Sequence, residues 1–460
     1  MPMTEELQSG IPAPAHMSIG RQAALSVFWF ASSAHWTAIL ITLLPLQALR
    51  MGGDAQKGTM MAIIIFAGAL VSMLAAPLFG AWSDRLQTPW GRRKPLMVVG
   101  VVGNMVLLVV LGFLPATKAM LVPFLLTFMV LEIFNNLATA PYSALIPDLV
   151  PAAQRGSASG WMGLMCMLGN FVGGMCGLFM EPLGQVLSAG CRMLGLPPVS
   201  GITAVYLLLA MLLLLGLLIT IPVINDKSAL PAPPFQLGAF LHGWIEPFAS
   251  LDFRWVFLTR FLVMLGIFTV QENLLFYIRD VIAGGRDPFR FQCFGVTLAH
   301  HAQAATSFFV LALLIGAIVS TLFAGVLSDR YGRKMMVYLS GALQGVVALA
   351  FLCTGRFDIV VILGLVFGLG YGAYQAVDWA LATDVLPSAE DHAKDMGVWH
   401  IAVTLPQVLA APIAGLLLDF FRALGQTHGY ANMGYVVIFT VAVGYFALGT
   451  VFVRKIKGVR

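Results

Sequence analysis

Charge is what this 460-residue chain has least of: Lys and Arg number 26 and Asp and Glu 21, together 10% of the sequence. Ordinary globular domains carry about 25%. A water-soluble fold of this size needs more polar side chains to cover its surface, whereas 59% of these residues are hydrophobic and the mean hydropathy is +0.89. The shortage excludes a soluble enzyme, a nucleic-acid binder and a disordered scaffold, and it leaves a lipid bilayer as the solvent. The net charge of +5 is therefore read through its distribution among loops, not as a nucleic-acid signal.

Cysteine is scarce as well, with five in the chain. Cys166, Cys176 and Cys353 fall in apolar runs, where a small polarizable filler is the expected role. Cys191 and Cys293 fall in loops on one face; they could pair in an oxidising compartment, but free thiols are expected. There is no glycine–lysine phosphate loop, no metal-ligand spacing and no Gly-x-Ser-x-Gly nucleophile elbow, so no cofactor, metal or enzymatic chemistry is expected. The first 24 residues are polar, with Glu5 and Glu6 and no basic residue before Arg21, which argues against a cleaved signal peptide.

What the chain has instead is length without charge. Apolar stretches occur at roughly 25–49, 59–83, 95–114, 119–142, 156–180, 202–223, 255–278, 303–327, 335–354, 358–382, 396–419 and 431–453. Stretches of this length read as membrane-spanning helices, since only helices and closed barrels satisfy their backbone in hydrocarbon. Twelve spans put both termini on one side. With the termini inside, inner segments hold 16 Lys and Arg against 9 outside, so both termini are expected in the cytoplasm.

Residues 224–254, with Pro231, Pro233 and Pro234 followed by FQLGAFLHGWIEPF, form the longest inner connection. They divide the chain into a six-helix unit at 1–223, a linker partly at the membrane interface, and a second unit at 255–460. The units echo each other. GAWSDRLQTPWGRRKP after the second stretch returns as GVLSDRYGRKM after the eighth, an offset of 245 for Asp84 and Asp329; ALIPDLVP after the fourth returns as ALATDVLP after the tenth, an offset of 236 for Asp148 and Asp384. Parallel six-helix repeats are a transporter architecture.

These motifs resemble the major facilitator superfamily. Its loop pattern is matched by Gly80, Asp84, Arg85, Gly91, Arg92 and Arg93, and again by Gly325, Asp329, Arg330, Gly332, Arg333 and Lys334. The resemblance implies a gate built on these residues, and Asp84 accepting from Arg92 or a helix N-terminus while Gly80 permits close backbone approach is the physical reading. SDRLQTPWGRRKP, with four residues inserted before Gly-Arg, is similar to the sugar:cation branch that includes glycoside–pentoside–hexuronide and sucrose:proton symporters. LEIFNNLATAPYSALIPDL, carrying Glu132, Asn135, Asn136, Pro141 and Asp148, and LGNFVGG, with Gly169, Asn170 and Gly173, fit the sucrose carriers, which usually have Asp where this chain has Glu132.

Charged side chains at bilayer depth cost about 2.5–3.5 kcal/mol each, so those present ask for a role. They are His35, Glu132, Arg260, Glu272, Asp378 and His400, in helices one, four, seven, ten and eleven. The resemblance implies a central cavity lined by helices one, four, seven and ten. Glu132, Asn135, Asn136 and Thr139 share one helical face, and so do Tyr371, Tyr374, Gln375 and Asp378. Glu132 is the expected proton carrier: a lone carboxyl in a partly desolvated cavity can load and release a proton, while the helix-two carboxylates of sodium-using melibiose carriers are missing. His35, Trp36, Asn135, Asn136, Glu272, Tyr371, Tyr374, Gln375, Asp378 and His400 are the candidate substrate ligands, the aromatic faces suiting sugar rings. Arg260 is expected to pair with Asp378 or Glu272.

The sequence thus points to an all-α protein with twelve transmembrane helices in two pseudo-symmetric bundles, a monomer in a bacterial inner membrane. The expected function is symport of a sugar or other small polar solute with protons, by alternating access. Two other readings stay open: a proton-driven exporter of drug-like or lipid-like molecules, suited to 23 Met and 32 Phe, or a non-transporting member that delivers a pigment or assists assembly of a membrane complex.

Overall fold

In hydrocarbon an unpaired backbone amide has no water to turn to, so each apolar stretch closes its hydrogen bonds within itself. The computed structural model describes residues 17–151, 154–225, 238, 245–383 and 392–457, and these are overwhelmingly helical. Ile19–Ala38, a π-helical turn Ile39–Leu43 and Leu44–Arg85 form one run that breaks at Gly53, where φ is 59°. Unbroken, its 67 residues would extend about 100 Å, three times a bilayer core. We term the passes on either side of Gly53 α1 (19–52) and α2 (54–85). The other passes are α3 Lys94–Phe113, α4 Leu121–Ser143, α5 Arg155–Met193, α6 Gly201–Thr220, α7 Leu251–Tyr277, α8 Ala302–Tyr331, α9 Arg333–Phe351, α10 Phe357–Thr383, α11 His392–Thr427 and α12 Met433–Phe452.

Serine starts three of them. The hydroxyls of Ser18, Ser200 and Ser250 accept from the amides of Arg21, Thr203 and Phe253, satisfying donors that a helix leaves orphaned at its first turn. Stops follow glycine more than hydropathy. The fifth apolar stretch fades near residue 180, but α5 runs 39 residues to Met193, ending where Gly195 takes φ 69° and Leu196 N–H bonds Cys191 O at 2.8 Å. Cys353, expected to fill an apolar interior, is exposed because α9 has already ended at Phe351; Cys176 is buried, and all five cysteines are free thiols. Of the expected linker, 226–237 and 239–244 lie outside the described residues, so its interfacial part is not described.

In the first half α1 packs on α5 and α6, α4 on α2 and α3, and α3 on α6; in the second α8 and α9 pack on α10, and α12 on α7, α9 and α11. Between halves, α2 meets α11 and α5 meets α8. The repetition reaches fine detail: α7 continues into a second π-helical turn, Ile278–Ile282, 239 residues after the first and between the two motif offsets. A two-stranded hairpin, β1 Phe291–Cys293 and β2 Val296–Ala299, covers the end opposite the termini, hereafter the distal end.

Small residues set how closely the helices approach. Gly364, Gly368 and Gly372 on α10 repeat every fourth residue against α8, and a Cβ on Gly368 would collide with Leu313 O. Gly444 on α12 has nothing within 4 Å of the same position. Gly368→Val is expected to lower stability by about 1–3 kcal/mol or prevent assembly, with Gly444→Ala neutral or stabilising, as measured by thermal unfolding in detergent.

Candidate functional site

Two polar clusters sit inside the helical bundle. In the first half, Glu132 on α4 is 6% exposed and turns toward α2, not outward. A Cβ on Gly68 would touch Glu132 Cγ at 3.2 Å, and one turn further along α2 Ser72 hydrogen-bonds the Glu132 carboxyl. Asn136 completes the cluster, its Nδ2 donating to Ser72 Oγ at 2.8 Å, to Glu132 O at 2.8 Å and to Glu132 Oε2 at 3.4 Å. The partners shown for Glu132 are thus neutral.

The polar stripe of α4 is divided between neighbours. Asn135 turns to α1, where Trp36 Nε1 donates to its Oδ1 at 3.3 Å, and Trp36 lies edge-on to Phe128 and to His35. His35 is fully buried with no hydrogen-bond partner on either ring nitrogen among the described residues. The α1–α5 seam explains LGNFVGG: Gly169 and Gly173 lie against the carbonyls of Phe30 and Ala34, and Thr37 donates to Asn170 at 2.9 Å.

In the second half Arg260 on α7 forms an ion pair with Asp378 on α10, both at least 93% buried by side chain. Tyr374 hydrogen-bonds the same carboxyl, and Gln375 donates to Tyr371 at 3.2 Å. This decides between the two expected partners of Arg260: Glu272 lies 12 residues up the same helix, about 18 Å away. Glu272 is 1% exposed and has no hydrogen-bond partner among the described residues. The side chains of His400 and Trp379 lie outside the described residues, and so does Asp384.

The loop motif folds as a compact ion cluster. Gly91 and Gly332 take φ 102° and 90° just before α3 and α9, left-handed values that explain glycine at both positions. Arg93, not Arg92, reaches Asp84, at 2.7 Å; Arg93 also donates to Ser83 at 3.0 Å and to Asp148 at 2.9 Å, while Arg92 pairs with Asp148 at 2.8 Å. The two repeated landmarks of the sequence therefore meet in space at Asp148. Gly80 does not serve close approach, since a Cβ there would meet nothing within 4 Å. Arg85 turns back to its own helix at Ala81 O, and Arg330 lies beside Tyr331. The side chain of Asp329 is not described, and Arg333 and Lys334 are half-buried at the start of α9.

A fourth polar assembly was not anticipated from the sequence. At the distal end Lys57 is fully buried and pairs with Asp280 from the π turn after α7. Tyr435 on α12 donates to Asp280 at 2.6 Å, Arg279 bridges Asp280 and Asp54, and Arg422 on α11 reaches Asp54 O. Asp419 accepts from Thr59 N–H at 2.6 Å and from Thr59 Oγ1 at 2.7 Å, holding Gly58 tightly against Gly415. These contacts tie the first half to the second. They escaped notice because charges at the ends of apolar stretches look like ordinary boundary residues. A cavity of about 190 Å³ near Gln47, Arg50, Phe113 and Ser200 lies apart from all four assemblies.

Removing one partner of a buried ion pair costs about 3–5 kcal/mol, because the remaining charge is stranded. Asp378→Asn is therefore expected to destabilise by about that much, and adding Arg260→Leu to recover part of the loss. Thermal unfolding of the single and double variants checks this; a double variant worse than the single would contradict the pairing.

A family model described as MFS/sugar transport protein matches residues 57–453. Among curated proteins the chain is similar to sucrose transport protein SUC4 of Arabidopsis thaliana, 30% identical over 125 residues (24% of each chain), and to the general alpha-glucoside permease of Schizosaccharomyces pombe, 28% identical over 138 residues (27% of this chain, 25% of that one). These alignments span about a quarter of the relatives' length. Among solved structures it shares its fold with a bacterial homologue of the human lysosomal transporter Spinster, captured inward-facing and unoccupied, with TM-score 0.71, 16% identity and coverage of 95% and 98%. The nucleoside transporter NupG gives TM-score 0.65 at 12% identity, covering 96% and 99%. With the family matched across both repeats, the chain belongs to the MFS/sugar transport proteins, a family of multi-pass membrane transporters of small solutes and not of enzymes.

Proposed function

We propose that the chain is a secondary active transporter that moves a sugar or glycoside together with protons by alternating access. The observation that carries this reading is Glu132: a buried carboxyl, bonded to the neutral side chains of Ser72 and Asn136, beside Asn135 and Trp36. A carboxyl held by neutral donors can exist with or without its proton, whereas one locked to arginine, such as Asp378, cannot readily discharge. Glu132 is thus the proton-coupling group.

Substrate binding falls to His35, Trp36, Asn135 and Asn136 from the first half and to Tyr371, Tyr374, Gln375, Asp378 and His400 from the second. Amide, hydroxyl and carboxylate groups can bond sugar hydroxyls, and the flat rings of Trp36 and the tyrosines can stack on a pyranose face. The sucrose and alpha-glucoside relatives support this solute class. The gate on the terminal side comprises Gly80, Asp84, Arg85 and Gly91–Arg93 with the corresponding residues from Gly325 to Lys334. The Lys57–Asp280 assembly is its distal counterpart, and the halves here are joined there. Excess Lys and Arg on the terminal side support cytoplasmic termini, in a bacterial inner membrane, with a monomer as the working unit.

Vesicles containing the protein are expected to accumulate sucrose or another glucoside, and to lose accumulation when an uncoupler collapses the proton gradient. Glu132→Gln should abolish accumulation while retaining sugar exchange across the membrane. A Glu132→Gln variant that still concentrates sugar against its gradient contradicts the coupling role.

A further inference from the structure

Glu272 is the buried charge that the transport reading leaves without a task. It lies on α7 at 1% exposure, and neither carboxyl oxygen has a hydrogen-bond donor among the described residues. Its position relative to the distal assembly is specific. Phe276 stands one helical turn above it on the same face, and the Lys57 ammonium sits 5.2 Å over the Phe276 ring while pairing with Asp280. The Phe276 ring, one helical turn from Glu272, thus borders the ion cluster that joins the halves.

The neighbouring charges are engaged elsewhere. On α2, Lys57 serves Asp280 and Asp54 serves Arg279; on α11, Asp419 holds Thr59 and Arg422 holds Asp54. On α12, Tyr435 serves Asp280, and on α10 Asp378 is held by Arg260 and Tyr374 while Asp358 pairs with Arg356. The π turn of α1, Ile39–Leu43, carries no titratable group, and neither does the distal half of α8. The side chain of His400 on α11 lies outside the described residues.

We propose that Glu272 is a second proton-binding site, loaded from the distal side as the halves close there. The proposal rests on the alternating-access reading above. With the distal end parted, Lys57 leaves the face of Phe276 and water reaches the carboxyl, which can be ionised. Closure removes that water and supplies no cation from the described residues, so an ionised Glu272 would be stranded. A proton taken from distal water forms one O–H bond on the carboxylate and no other bond changes. By linkage, the closed state holds one proton more at Glu272 than the open state, so acid favours closure and alkali favours opening.

The test uses the full chain in lipid nanodiscs without substrate. Spin labels at exposed distal positions, Ala119→Cys on the first half and Ala431→Cys on the second, report the distance between halves as pH is varied, and infrared spectra report protonated carboxyl C=O stretches. The wild type is expected to shift toward the short distance on acidification, with the closed-to-open ratio changing by up to about tenfold per pH unit. Glu272→Gln should stay closed with this dependence lost and one protonated-carboxyl band missing, while Glu272→Asp keeps the dependence. A Glu272→Gln variant that retains the wild-type pH dependence, or a wild type whose distance ignores pH, overturns the site. Failure of wild-type vesicles to take up sugar would sink the transport reading while leaving this pH dependence in place.

Discussion

Charge in hydrocarbon must be compensated, and that constraint organises this molecule. The described interior places Arg260 on Asp378, Lys57 on Asp280, Arg93 between Asp84 and Asp148, and Glu132 among neutral donors. Each solution has a different consequence for motion. The Arg260–Asp378 pair lies within one half and binds α7 to α10. The Lys57–Asp280 pair crosses between halves, so it can exist only in a conformation that brings α2 and α7 together at the distal end. The Glu132 cluster needs no counter-ion and can change its protonation without tearing a bond to a buried cation.

Helix α2 links two of these solutions. Its Ser72 bonds Glu132 near the middle of the bundle, and its first residues, from Asp54 to Thr59, engage Asp280, Asp419, Arg279 and Arg422. Gly58 and Gly68 let α2 lie flush against α11 on one side and α4 on the other. One helix thus touches both the Glu132 carboxyl and the distal assembly. The matched π turns in α1 and α7 fall where these helices approach the same distal region, and such turns recur at functional sites.

Much of this architecture was legible in the chain. Twelve apolar stretches became twelve passes, since length and hydropathy are what a bilayer selects. The repeat of Asp84 and Asp148 at Asp329 and Asp384 is the sequence signal for two halves, and the structure joins Asp84 to Asp148 through Arg93. Helix periodicity placed Glu132, Asn135 and Asn136 on one face but could not say which neighbour each would meet; Asn135 turned to Trp36 and Glu132 to Ser72. Ser72 had no signal of its own, being one small polar residue in an apolar run. Lys57, Asp280 and Arg422 were hidden for a different reason: at the edge of an apolar stretch a charge reads as solvated, and only tertiary packing reveals that Lys57 is sealed from water.

Alternating access, as proposed, requires that polar groups between the halves be reached by water from one side and then the other. Labelling Asn135→Cys in a cysteine-free background with a membrane-impermeant thiol reagent, applied to either face of oriented vesicles, measures that exposure directly. The account predicts reaction from both faces, slowed by sucrose or another transported glucoside. Reaction from one face alone, or none from either, would contradict it.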